Sequence, residues 1–164
     1  MEIKLNELNN SLKRFLTVIL IVLSVGVATG LIYLYTTTSY TPEGAATRIS
    51  GDQRTEEFGI PENFPRPVSE LLITTHNHII GLTLIFIFIG TLFSFNTIIN
   101  GFWKNFFLIE PPLSVLTTFG SIWGIRFLST YFAYIAFVSS VLIYTSYFIM
   151  VVILLFEINR QKNN

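Results

Sequence analysis

Apolar side chains run along this chain in four long blocks, at residues 15–36, 71–99, 106–128 and 131–156. A helix in a soluble globule keeps a polar stripe for water. The first and last of these blocks have none. The hydrocarbon core of a bilayer is about 30 Å thick, so a spanning helix needs roughly 20 apolar residues, and each block reaches that length. Transmembrane strands would need only about 9–11 residues with period-two alternation, which continuous blocks lack. The connections at 100–105 and 129–130 are short and make sequential helices antiparallel neighbours. The predicted fold is therefore an all-α integral membrane protein, an up-down-up-down four-helix bundle whose surrounding solvent is the lipid bilayer.

Each block carries further expectations. Residues 1–14 precede the first, and Lys13 and Arg14 sit directly before Phe15. The stretch that follows is longer than the roughly 7–15-residue apolar core of a cleaved signal peptide, so it reads as an uncleaved signal anchor. In the second block the dense apolar part is Ile79 to Phe95, and the semi-polar Leu71 to His78 belongs to the interfacial zone. The third block has Glu110, Pro111 and Pro112 near its start and Arg126 near its end. Proline is tolerated in a first helical turn, and both charges then lie near span ends, leaving none at the bilayer midplane. The fourth block is uncharged and carries Ser139, Ser140, Tyr144, Thr145, Ser146 and Tyr147, which point to a buried, hydrogen-bonded face. Gly26 and Gly30 form a small-xxx-small pair, and Gly81, Gly90, Gly120 and Gly124 likewise suit close helix packing.

The hydrophilic stretch 37–70 is the only long connection. It is too short and too poor in apolar residues to be a domain. Tyr40-Thr41-Pro42-Glu43-Gly44 reads as a turn, and Pro61, Pro65 and Pro67 favour an extended approach to the second span. The stretch reads as a solvated hairpin loop, or as a lid over the bundle mouth held by Tyr40, Phe58, Ile60 and Phe64.

Composition agrees with a lipid environment. Charged residues make up 12% of the 164 residues, against roughly 25% in soluble domains. The zero net charge offers no footprint for nucleic acid. The absence of cysteine excludes disulfides, thiolate metal sites and iron–sulfur clusters. Lys4, Lys13, Arg14, Lys104, Arg160 and Lys162 fall on one side of the membrane and Arg48, Arg54, Arg66 and Arg126 on the other. The side richer in basic residues is the cytoplasmic one. Both termini, including the tail 157–164, are then cytoplasmic, in a bacterial inner membrane. Trp103 and Trp123 read as interfacial belt residues.

One polar cluster stands out. Thr74-Thr75-His76-Asn77-His78 opens the second span and holds the chain's two histidines, with Glu70 just before it. Polar residues at membrane depth are costly and mark function. Hairpin topology brings Arg126 to the same side, where it meets headgroups or pairs with Glu70. The site residues expected from sequence are thus His76 and His78 as cofactor ligands, with Glu70, Thr75, Asn77 and Arg126 as the surrounding polar cluster. On a helix, positions two apart point about 200° apart and cannot share a metal. On an extended segment they share a face, and Glu70 could supply a third ligand. A haem b held by two histidines needs a second helix that carries one, hence a partner chain or a dimer. The bland alternative is that these side chains only satisfy helix ends.

The Thr75-His76-Asn77-His78-Ile79-Ile80-Gly81 run resembles the His-x-His helix of haem-copper oxidase subunits, over less than one fifth of the chain. That family's other haem and copper histidines have no counterpart here. The Tyr-Thr-Pro-Glu-Gly segment, the Thr-His-x-His segment and Phe119-Gly120 with Trp123, Arg126 and Phe127 together resemble a group of small four-span bacterial inner-membrane proteins. This second resemblance covers most of the chain and implies four spans but no activity. The chain has no Gly-x-x-x-x-Gly-Lys-[Ser/Thr] loop, which excludes P-loop nucleotide chemistry. These observations favour a non-catalytic accessory subunit or assembly factor of a larger, respiratory membrane complex, associating with other membrane subunits or with itself. The alternatives are a haem- or metal-binding electron-transfer protein and a small transporter or channel.

Overall fold

The computed structural model describes residues 5–52 and 63–160. Lys4, Arg54, Phe58, Ile60 and Lys162, which entered the orientation and lid arguments, lie outside the described residues. A short 3-10 turn at Leu5–Glu7 leads into five α-helices: α1 Asn10–Thr38, α2 Pro42–Ser50, α3 Val68–Ser94, α4 Gly101–Phe127 and α5 Phe132–Asn159. No strand occurs among the described residues. Helices α1, α3, α4 and α5 are each long and apolar enough to cross a membrane. At 1.5 Å per residue even the 27-residue α3 and α4 reach about 40 Å, beyond the roughly 30 Å hydrocarbon core. The chain is a four-helix membrane bundle with one extra short helix.

Helix α5 is the centre. Eleven of its residues are buried, among them Ile143, Tyr147, Met150 and Leu154, whereas α1 buries only Leu16, Leu20 and Thr38. Helix α4 packs along α5, α3 leans mainly on α4, and α1 lies on α5. Side chains of all four spans meet in one core that includes Leu20, Ile89, Val115 and Tyr147. In lipid, burial does not drive this packing as it does in water. Close fit and interhelical hydrogen bonds do.

Helix α2 revises the loop expectation. The Asn9 side chain caps the start of α1 by accepting from Leu12 N at 2.8 Å. At the other end α1 stops at Ser39 and Tyr40, both in the left-handed region with φ of 52° and 54°. The chain then turns back into Pro42–Ser50, so Thr41-Pro42-Glu43-Gly44 is a helix start and not a simple turn. The Thr41 hydroxyl accepts from Gly44 N at 3.0 Å. Proline at the first helical position and an acid in the first turn complete a standard N-terminus. Ile49 is buried with Leu71, Ile125, Ala133 and Ala136, and the Ser50 hydroxyl donates to the Ile125 carbonyl at 2.8 Å. The segment therefore grips the bundle as a lid, but through Ile49 and Ser50. Tyr40 and Phe64 are exposed.

The chain leaves α2 at Gly51, with φ of 78°. A Cβ at this position would stand 2.8 Å from the Asn63 carbonyl oxygen and from Pro65 N, so the close approach requires glycine. Asp52 N donates to the Asn63 carbonyl at 3.0 Å and Arg66 N to the Ile49 carbonyl at 3.1 Å, tying the end of α2 to the entry of α3.

Candidate functional site

Three polar groupings occupy three levels of the bundle. At the end carrying α2, the residues singled out from sequence lie on α3 and α4. Residues 74–78 are helical, so the extended option for the histidine pair does not apply. His76, Asn77 and His78 are all exposed on the bundle exterior. The side chains of His76 and Asn77 make no hydrogen bond among the described residues. The His78 ring nitrogen Nδ1 lies 2.8 Å from the Thr74 carbonyl. A carbonyl can only accept, so Nδ1 donates and Nε2 is left free. The ring sits 5.3 Å from that of Phe119 on α4. Thr75 accepts from Trp123 Nε1 at 3.0 Å, so Trp123 ties α4 to α3 and is half-buried. No group of three metal-ligating side chains forms among the described residues, and Glu70 does not join the histidines.

The expected pairing of Glu70 with Arg126 is not what forms. Glu70 lies 3.9 Å from Arg66, one turn before it, and more than half of its side chain is exposed. Such a pair contributes at most about 1 kcal/mol. Arg126 Nε instead donates to the Arg66 carbonyl at 3.3 Å. The reason is local: the backbone link from Arg66 to Ile49 brings the Arg66 peptide to the end of α4, and i,i+4 spacing places Glu70 beside Arg66. Arg48 donates to the Tyr33 hydroxyl at 2.6 Å and lies over its ring. Burial, and then repulsion from Arg66, hold Arg48 below the usual guanidinium range. Beside α2, a cavity of about 460 Å³ is lined by Glu43, Thr47, Asp52, Tyr131 and Tyr134 among others. Glu43 accepts from the Tyr134 hydroxyl at 2.7 Å, which holds its carboxyl below the usual range of about 4.5.

The second level is mid-bundle, and sequence reasoning placed it wrongly. Helix α4 begins at Gly101, five residues before the apolar block, so Pro111 and Pro112 fall in the helix interior and not in its first turn. Glu110 stands nine residues after Gly101, about 13.5 Å along the axis. Its carboxylate accepts hydrogen bonds from two hydroxyls. Ser114, one turn on, donates to Oε1, and Ser146 of α5 donates to Oε2 at 2.6 Å. Ser146 lies fourteen residues after Phe132 and thirteen before Asn159, at the midpoint of α5. The expectation of no charge at the midplane is therefore overturned. Two turns toward α2, the Thr118 and Ser139 hydroxyls lie 2.7 Å apart.

The third level is the end carrying the termini. Glu157, assigned from sequence to the tail, lies within α5 and is 1% exposed. Its Oε1 accepts from Thr97 N at 2.9 Å and from the Thr97 hydroxyl at 2.8 Å, fixing the α3–α4 turn to α5. Asn96, also buried, accepts from Ile98 N and Ile99 N, and its own carbonyl accepts from Lys104 Nζ at 3.0 Å. The glycines divide as well. At Gly124 a Cβ would collide with Phe132, and at Gly90 it would meet Leu108 at ordinary contact distance. At Gly26, Gly30, Gly81 and Gly120 it would meet nothing within 4 Å, so these four do not serve close packing among the described residues.

No curated protein and no solved structure matches the chain. A family model does, over residues 39–164. The matched stretch runs from the entry of α2 through the end of α5 and holds all three polar levels. By that match the chain is a member of the Aq_1264_TM family, a family of transmembrane helical domains.

Proposed function

We propose that this multi-pass membrane protein is an accessory subunit or assembly factor of a larger, respiratory membrane complex. Its home is a bacterial inner membrane, with both termini cytoplasmic. The observation that carries the reading is the open face of α1. Gly26 and Gly30, one turn apart, both lie on the exterior and both have free space where a Cβ would be. Small residues at that spacing let a second helix approach closely in lipid, and no helix among the described residues takes that place. Helix α1 is also the least buried of the spans, which leaves most of its circumference for lipid or a partner. The exposed His76 and Asn77 of α3 add polar side chains without hydrogen-bond partners among the described residues, and such groups gain from interhelical hydrogen bonds. The test is purification of the tagged chain in a mild detergent. A partner in fixed stoichiometry is expected, lost with Gly26→Ile and Gly30→Ile while helix content by circular dichroism is unchanged. A chain that purifies alone from its native membrane, or a partner indifferent to both variants, contradicts the reading.

A second reading rests on His78. Its Nδ1 hydrogen bond to the Thr74 carbonyl orients the ring as metal-ligating histidines are oriented, with Nε2 free on the bundle surface. A haem held this way needs an opposite histidine from a partner chain or a second copy. A Soret band in the purified protein that disappears in His78→Ala supports this reading, and a colourless protein opposes it.

A further inference from the structure

The Glu110 carboxylate of α4 sits beside the midpoint of α5 with two hydroxyl donors and no counter-charge among the described residues. No Lys, Arg or His lies within ion-pair distance of it among the described residues. An unneutralised carboxylate at bilayer depth is costly, and ionisable groups kept there mark ion or proton pathways. We propose that Glu110, Ser114 and Ser146 form a mid-membrane site for a monovalent cation, a proton or an alkali ion of sodium size, that supplies the missing positive charge.

Three further observations support a built site. First, Pro111 and Pro112 follow Glu110 directly. Neither has an N–H, so the carbonyls of Phe107 and Leu108 lose their i+4 donors one turn below the carboxylate. Oxygen atoms of this kind, freed from the helical ladder, coordinate small cations in membrane proteins. Second, the two serines that hold Glu110 are themselves buried, Ser114 at 7% and Ser146 at 2% exposure. Glu110 is only half-buried and so stays reachable. Third, the seam between α4 and α5 carries one more hydroxyl pair toward the α2 end, Thr118 and Ser139 at 2.7 Å, beside a largely apolar groove that includes Ile135, Val138 and Leu142.

This inference does not depend on the accessory reading, because Glu110, Ser114 and Ser146 all belong to α4 and α5 of one chain. The full-length protein in detergent is treated with N,N′-dicyclohexylcarbodiimide, in choline chloride or in sodium chloride, and modified peptides are located by mass spectrometry. A carboxyl group carrying a proton transfers it to a carbodiimide nitrogen while its oxygen bonds the central carbon. The adduct rearranges to a stable N-acylurea that keeps the whole reagent mass. Labelling concentrated at Glu110 in choline, and absent at this peptide in Glu110→Gln, is expected. If sodium chloride slows it severalfold and Ser146→Ala weakens that protection, the cation is an alkali ion. If sodium has no effect, it is a proton. A Glu110 that stays unlabelled in choline, or that labels no faster than Glu43 and Glu70 at the exposed end, overturns the proposal.

Discussion

Two glycines one turn apart on α4 give opposite predictions for the same substitution. A Cβ at Gly124 would stand 2.5 Å from Phe132 Cγ and Cδ1, at the corner where α4 hands over to α5. The colliding atoms belong to the root of the ring, so Phe132 must rotate as a whole or the corner must open. Overpacking of this kind costs about 1–3 kcal/mol. At Gly120 the same methyl meets nothing within 4 Å. Both glycines are helical, and alanine is favoured over glycine in a helix interior by roughly 0.5–1 kcal/mol. That gain is common to both variants and cancels between them. Gly120→Ala should therefore be as stable as the parent chain or more so, with Gly124→Ala below it by about 1–3 kcal/mol. At 1.4 kcal/mol per decade this is on the order of five- to hundredfold in the unfolding equilibrium. The assay is reversible unfolding in mixed detergent micelles with increasing dodecyl sulfate, followed by helical circular dichroism. Phe132→Leu should recover part of the loss in the Gly124→Ala background and none in the Gly120→Ala background, as expected for residues in contact. Equal stability of the two alanine variants would refute the packing described at this corner.

Further outcomes follow from the polar contacts. Glu157→Ala removes the acceptor of two hydrogen bonds from Thr97 and should cost about 1–3 kcal/mol in the same assay, while Glu157→Gln, which keeps the accepting oxygen, should lose less. Thr41→Ala should loosen α2 by about 1 kcal/mol, seen as faster hydrogen exchange confined to Pro42–Ser50, with Thr41→Ser close to the parent. The Glu43 carboxyl is held below its ordinary value by the Tyr134 hydroxyl, so the stabilisation is present above that ordinary value and is lost as pH falls through the lowered one. Protection of α2 amides, measured relative to their intrinsic exchange rates, should therefore fall on acidification below about 4.5, and Tyr134→Phe should weaken that pH dependence, leaving the part due to the backbone hydrogen bond at Glu43.

The membrane spans were legible because a helix in lipid needs nothing from its sequence but length and apolarity. The polar detail was less so, for reasons specific to each residue. Helix α2 carried a readable signal in Thr41, Pro42 and Glu43, but a proline-glycine segment suits a turn equally well, and only Ile49 docking against Ile125 selects the helix. Glu110 was misplaced because hydropathy locates where a block becomes apolar and not where a helix begins. The five residues Gly101 to Asn105, polar enough to read as a turn, shift the carboxylate by about 7.5 Å along the axis. Ser114 and Ser146 gave no sequence signal separate from other hydroxyls of their spans, since their common partner is set by the register of α4 on α5. The histidine pair was legible as a position but not as a geometry, because spacing alone cannot decide between helix and extended chain. Arg126 and Glu70 both lie at the α2 end, but the backbone link from Arg66 to Ile49 and the i,i+4 spacing of Glu70 from Arg66 give each a partner other than the expected one.

The most direct test of the account is the number of crossings, and the lack of any cysteine in the chain makes it clean. Single cysteines are placed at Asn9 and Asn100, at the terminal end, and at Ser39 and Ser129, at the α2 end. Each is exposed to a membrane-impermeant maleimide in intact cells and again after the membrane is opened. Four spans predict that Ser39→Cys and Ser129→Cys react together on one side, and that Asn9→Cys and Asn100→Cys react together on the other. Labelling of the Asn100 and Ser129 positions from the same side would mean that α4 does not cross the bilayer, and the placement of Glu110 within it would fall.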